Sequence, residues 1–212
     1  MNHIPMRMTA PQLRPQKLTR RAMAKQQTRE KVLQAAREMF IERGYEGATI
    51  RDIARAAGMS TGAVFASFTD KPELFDAILS EDFAALFDPM RDAAVSAPSA
   101  REALVAMFSA AYRAHSAQLP LIQAALAASW TRTPEAEQLR RESLRPLRVL
   151  VMEVLERGLE RGELTRRFDL RLVSDVLWDL YLAGYRPAAF EGLSVEIQTD
   201  RLADRIDLVL AG

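Results

Sequence analysis

The residues from Thr49 to Phe75, TIRDIARAAGMSTGAVFASFTDKPELF, constrain this chain more than any other stretch. They read as two short helices joined by a tight turn, with a third and longer helix following at once. Thr49 caps the first helix, and Asp52 three residues on completes a T-x-x-D capping pattern. Ile53, Ala54 and Ala57 give that helix an apolar face. Gly58 suits the left-handed position that ends it, and Ser60 is an N-cap for the next. Gly62 and Ala63 are small, so the second helix can cross the first at close range. Asp70 and Glu73 form another box, D-x-x-E, opening a helix through Leu74, Phe75 and Leu79. Together these are the marks of a DNA-binding helix-turn-helix.

Charge points the same way. Residues 1–69 hold 12 Lys and Arg against 5 Asp and Glu, whereas residues 70–212 hold 17 against 23. A formal net charge of +1 thus hides a basic N-terminal third and an acidic remainder. A basic end meets polyphosphate favourably and releases counterions, while an acidic body is repelled.

The run Thr28-Arg29-Glu30, Phe40, Gly44-Tyr45, Thr49 to Ala54, Ala57 to Ser60, Gly62, Phe65, Phe68, Lys71 and Glu73-Leu74 closely resembles the N-terminal domain of TetR-type repressors. The resemblance spans about 50 contiguous residues without a gap and includes a first helix with its E-R-G-Y exit at Glu42 to Tyr45. One departure stands out. The family commonly carries Tyr-x-His-Phe or Tyr-Tyr-His-Phe where this chain has Phe65-Ala66-Ser67-Phe68. Phe65 lacks the hydroxyl that commonly binds a phosphate, so fewer side-chain contacts per half-site are expected, with the N-terminal arm or DNA shape supplying the difference.

At 212 residues and 49% hydrophobic content, the chain can bury one good core and a small satellite. Absence of cysteine excludes disulfides, thiol redox sensing and Cys-based zinc sites. His3 and His115 are far apart and belong to no ligand-spaced cluster, so neither a metal nor a cofactor is expected. No apolar run approaches the roughly 20 residues that span a membrane. Arg20-Arg21 is followed by no apolar segment, so no export signal is expected and the protein reads as cytoplasmic. The first 27 residues carry Arg7, Arg14, Lys17, Arg20, Arg21 and Lys25 with no acid before Glu30, and Pro5, Pro11 and Pro15 oppose helix in the first half. This stretch reads as a flexible basic arm over 1–24 or as a plain tail.

Beyond the motif every strong pattern has helical period. Helix one is expected over about Lys25 to Arg43 and helix four from Lys71 to about Asp88, stopped by Pro89. Ser99 and Glu102 cap a fifth helix carrying Leu104, Met107, Phe108 and Tyr112. Pro120 separates a sixth, Leu121 to about Trp130. Thr133-Pro134 opens a seventh reaching Arg161, which Pro146 should kink or split. The eighth begins at Asp169 and ends at Pro187, and the ninth covers about Ser194 to Leu210. The expected fold is all-α with about nine helices: a three-helix reading domain at 25–70 and a helical effector-binding and dimerisation domain at 71–212.

What the resemblance implies is more specific. Ser60 to Phe68 would enter the major groove, with Thr61 and Ser67 offering hydrogen bonds to base edges and Thr61 or Ala63 packing on a thymine methyl. Arg29, Thr49, Arg51, Gly62, Phe65 and Lys71 complete the expected DNA-binding set, Lys71 matching a phosphate-binding lysine of the family. A homodimer would read a palindromic operator in double-stranded DNA. Its interface would come from the last two helices, through Val173, Val176, Leu177 and Leu180 and through Leu202, Ile206 and Val209. The stretch from Arg157 to Gly212, with ERGLERGEL and RLADRIDLVLAG, is similar to one of the family's C-terminal domain types. A small hydrophobic or aromatic effector would lie among Phe108, Tyr112, His115, Gln123, Trp130, Trp178 and Tyr181, with Met107, Leu126 and Met152 as further candidates. Its binding would swing helix four and release the operator.

Three alternatives stay open at this point. The regulator could activate, or answer to a partner protein instead of a small molecule. It could bind DNA without sequence preference, as a nucleoid-type protein does. An enzyme is not expected, because the sequence offers no Ser/Cys–His pairing, metal-ligand cluster or Gly-rich phosphate loop.

Overall fold

The computed structural model describes residues 20–164 and 169–211, so the expectations for the arm through Lys17 lie outside the described residues, while Arg20 to Ala24, expected in that arm, form the first turn of α1. Ten α-helices account for nearly all of it: α1 (Arg20–Gly47), α2 (Ile50–Ala56), α3 (Thr61–Phe65), α4 (Lys71–Val95), α5 (Ala100–His115), α6 (Leu119–Ala128), α7 (Pro134–Glu160), α8 (Leu170–Ala183), α9 (Tyr185–Glu191) and α10 (Val195–Ala211). The fold is all-α. No helix of the described residues is long and apolar enough to cross a membrane.

Helix ends follow local chemistry. Thr49, Ser60, Asp70, Ser99 and Thr133 each accept a backbone N–H three residues ahead, closing the first turns of α2, α3, α4, α5 and α7. The box at α4 differs in detail. The Glu73 carboxylate accepts from Thr69 N and Thr69 Oγ1, both at 2.6 Å, one residue before the cap. Those two hydrogen bonds hold its carboxyl below the usual range. Gly58 turns the chain between α2 and α3 at φ +68°, where a Cβ would be strained.

Three prolines behave differently from expectation. Pro89 does not stop α4, which continues to Val95. Pro89 and Ala85 both face solvent, so water can satisfy the Ala85 carbonyl that Pro89 leaves without a donor. Pro187 does not end a helix either. It sits in the first turn of α9, where the missing N–H has no intrahelical partner to lose. Pro146 likewise leaves α7 continuous from Pro134 to Glu160.

Burial falls into two clusters. The first gathers Val32, Ala36 and Phe40 of α1, Ile53 of α2, Val64 of α3 and Phe68, and it is closed by Leu74, Phe75, Ile78 and Leu79 of α4 with Leu121 of α6. The second fills the space between the far half of α4 (Leu86, Met90), α5, α7, α8 and α10. Helix α4 therefore belongs to both, and Phe83 at its middle packs against each. A largely buried ion pair between Arg37 of α1 and Asp82 of α4 reinforces that beam. Burial raises the Asp82 carboxyl, and Arg37 opposes the rise.

Candidate functional site

The first site is the outer surface of α2 and α3. Helix α3 is only 5 residues long and projects from the first cluster, anchored by Val64 and Phe68. Thr61, Gly62 and Phe65 are exposed on it, Phe65 at 53%, and Ala63 and Ser67 are half-buried. Thr49 and Arg51 lie at the entrance of α2 with their side chains outward. Arg29 does a different job: its guanidinium lies 4.2 Å over the Phe68 ring and donates to the Ser67 carbonyl at 3.1 Å. It clamps the exit of α3 to α1, leaving it less free for a phosphate than expected.

Lys71 departs further from expectation. Its ammonium donates to the carbonyls of Tyr45 at 2.9 Å and Ala48 at 3.3 Å, and rests 4.2 Å over the Tyr45 ring. Two of its three donors are thus engaged in tying the exit of α1 to the first turn of α4. The structure places it as a strut between elements, not as a free cation. That role is illegible in sequence, because it depends on where the carbonyls of the Gly44 kink point.

The second site is a cavity of about 120 Å³ walled by Leu79, Phe83 and Leu86 of α4, Ile122, Ala125 and Leu126 of α6, Leu144 and Leu147 of α7, and Trp178 and Tyr181 of α8. Its polar groups gather at two ends. At one, the deeply buried Arg132 pairs with Asp76 of α4 at 3.2 Å, and Arg140 makes a bidentate pair with Glu137 at 2.9 and 3.0 Å. The hydrogen bonds from Arg140 and Arg141 hold the Glu137 carboxyl down at about 2. At the other end, His115 Nδ1 lies 2.7 Å from Tyr185 Oη, which lies 2.5 Å from Tyr181 Oη. Burial pushes the His115 imidazole down to about 4, so it is neutral near pH 7.

Of the expected effector residues, His115, Trp178, Tyr181 and Leu126 line this cavity. Met107, Phe108 and Tyr112 are buried behind the wall, with Phe108 stacked on Tyr181 at 4.9 Å between centroids. Gln123 and Trp130 are corrections. Gln123 faces solvent because α6 turns Ile122, Ala125, Leu126 and Ser129 towards the cavity. Trp130 follows the end of α6 and is 90% exposed. Tyr185, Arg132 and Arg140 escaped the sequence reading. Tyr185 could have been found, since it stands four residues after Tyr181 on one helical stripe.

The expected pairing stripe also needs correction. Leu177, Leu202 and Ile206 are fully buried in the protomer's own second cluster, and Val173 nearly so. Val176, Leu180 and Val209 are partly exposed. The outward apolar surface of α8 and α10 is carried instead by Leu172 at 62% exposure, Leu208 at 77% and Ile197.

Residues 32–78 match the model of the bacterial regulatory proteins of the tetR family. The HTH-type transcriptional repressor KstR2 of Mycobacterium tuberculosis is 32% identical over 168 residues, covering 75% of this chain and 82% of the relative. The chain belongs to the tetR family of bacterial regulatory proteins. As a tetR-family member it is a DNA-binding transcriptional regulator and not an enzyme. Two solved structures share the fold over most of their length. FadR of Bacillus subtilis, in complex with stearoyl-CoA, aligns with TM-score 0.74 and 18% identity over 86% of this chain and 98% of that one. FadR of Thermus thermophilus, in complex with lauroyl-CoA, aligns with TM-score 0.66 and 24% identity over 84% and 92%.

Proposed function

We propose that this tetR-family protein is a repressor that binds a palindromic operator as a homodimer and releases it when a small hydrophobic effector enters the cavity. One observation carries the coupling. Helix α4 supplies Leu79, Phe83 and Leu86 to the cavity wall, and its first turns close the core that holds α3. An occupant that pushes on Phe83 therefore acts on the element that positions the reading surface, provided it prefers the displaced arrangement. Residues 25–70 would serve as the reading unit, 71–212 as the sensing and pairing unit, and 1–24 as a basic arm along the DNA backbone.

On the DNA, Thr61 and Ala63 present methyl groups and Phe65 a ring, with Thr61 and Ser67 as the hydrogen-bonding groups. This chemistry suits thymine methyl groups more than bidentate reading of guanine. Thr49 and Arg51 would meet phosphates. The dimer would form through the outward faces of α8 and α10, around Leu172, Val176, Leu180, Ile197 and Leu208. The relative KstR2 is named a repressor, which favours repression over activation. The FadR structures hold acyl-CoA molecules, which makes acyl chains a sensible first panel.

Selection of bound duplexes from random DNA at two salt concentrations tests the reading. A two-fold-symmetric consensus that survives at the higher salt is expected, and addition of the effector should then release it. Binding without any consensus, collapsing steeply with salt, would mean that the basic module only grips backbone.

A further inference from the structure

Among the described residues, only two buried side-chain polar atoms lack a hydrogen-bond partner: Asp82 Oδ2 and His115 Nε2. Asp82 has its other oxygen on Arg37 and does not line the cavity described above. His115 differs. It is 4% exposed, lines the cavity, and leaves Nε2 with nothing to bind. An unmet ring nitrogen next to empty space asks for a ligand atom.

Its direction follows from counting protons along the chain His115–Tyr185–Tyr181. In one arrangement Tyr181 donates to Tyr185, Tyr185 donates to His115 Nδ1, and only the Nε2–H is left over. In the reverse arrangement Nδ1–H donates to Tyr185 and Tyr185 donates to Tyr181. That leaves both the Tyr181 hydroxyl proton and the Nε2 lone pair unmet. Tyr112 relieves neither case: its hydroxyl donates to the Tyr181 backbone carbonyl at 2.8 Å and is bonded neither to the Tyr181 hydroxyl nor to His115. The first arrangement leaves fewer buried groups unsatisfied and is favoured on that ground. Nε2 is then a donor.

The charge of its partner follows from position. His115 lies just before the start of α6, beside Tyr185 and the aromatic wall. The two cations of the lining, Arg132 beyond the end of α6 and Arg140 of α7, are each paired with a carboxylate, Asp76 and Glu137. Helix α6, 10 residues and about 15 Å long, runs between His115 and Arg132. With both guanidiniums already neutralised, a bare carboxylate beside His115 would lose its hydration without compensation. An uncharged oxygen would not.

Resting on the reading of this cavity as the effector site, we propose that His115 Nε2–H anchors the effector through an uncharged carbonyl oxygen, a ketone or ester, set in an otherwise apolar body. Four matched probes test this on the full chain by calorimetry: acetophenone, 1-phenylethanol, ethylbenzene and phenylacetate. Acetophenone should bind about fivefold to tenfold tighter than ethylbenzene, the worth of one buried hydrogen bond. In His115→Phe the order should reverse, since the ketone oxygen leaves water and finds no donor. Nitrogen NMR of ¹⁵N-histidine protein guards against a misfolded variant. The wild-type His115 should show the Nε2–H form, and acetophenone but not ethylbenzene should shift Nε2.

Equal affinity for ketone and hydrocarbon, or a ketone preference that survives His115→Phe, would overturn the proposal while leaving the cavity as effector site. Tightest binding by phenylacetate, or a wild-type Nδ1–H form, would overturn it as well. If none of the four binds, the cavity reading fails together with it.

Discussion

Single residues in the second cluster are held to narrow tolerances. Gly184 has ordinary helical dihedrals, so its role is spatial: a Cβ there would stand 2.1 Å from Tyr112 Oη. Gly184→Ala must push Tyr112 off the Tyr181 carbonyl, and a loss of about 2 kcal/mol or more in urea unfolding is expected. The same substitution should cost less in a Tyr112→Phe background, because the clashing oxygen is gone. His115 gives a second expectation. Its imidazole titrates at about 4 in the fold against 6.5 in the unfolded chain, so below pH 6.5 the unfolded state takes up the proton first. Its contribution is intact above 6.5 and falls away as pH drops towards 4, by roughly 3 kcal/mol at most. His115→Phe should flatten the stability–pH curve in that window alone, as unfolding midpoints at several pH values will reveal.

At the level of elements, the caps could be read directly, since Thr49, Ser60, Asp70, Ser99 and Thr133 act within one helical turn of themselves. Pro89 misled because its effect depends on whether the carbonyl it strands faces water, and Pro187 because the sequence does not show that a new helix starts two residues before it. The same limit governs α8. Its apolar stripe is plain in the sequence, yet Leu177 is spent on the protomer's interior and Leu172 faces out. Periodicity tells that a face is buried, not against what. For the cavity, His115, Trp178 and Tyr181 were legible as polar or aromatic groups on apolar faces, whereas Arg132 is placed only by its pairing with Asp76. Lys71 offers the cleanest test at this scale. As a strut between α1 and α4, Lys71→Met should lower the melting temperature while leaving the slope of log affinity against log salt unchanged. A slope shallower by about one would restore the phosphate contact expected from sequence.

For the molecule as a whole, pairing through the outward faces of α8 and α10 is the expectation to test. Leu172 and Leu208 are the most exposed large apolar side chains on α8 and α10. Leu172→Asp combined with Leu208→Asp should give a folded monomer by sedimentation, with operator affinity reduced by orders of magnitude because one half-site remains. A dimer that survives both changes would move the interface elsewhere. The shared helix α4 carries a consequence for anyone recombining such regulators. A chimera joined at residue 70 would strip Leu74, Phe75, Ile78 and Leu79 from the reading unit and supply a stranger's side chains in their place. A workable graft would have to cross over beyond Phe83, and the transplanted unit would then carry the front wall of its donor's sensor with it.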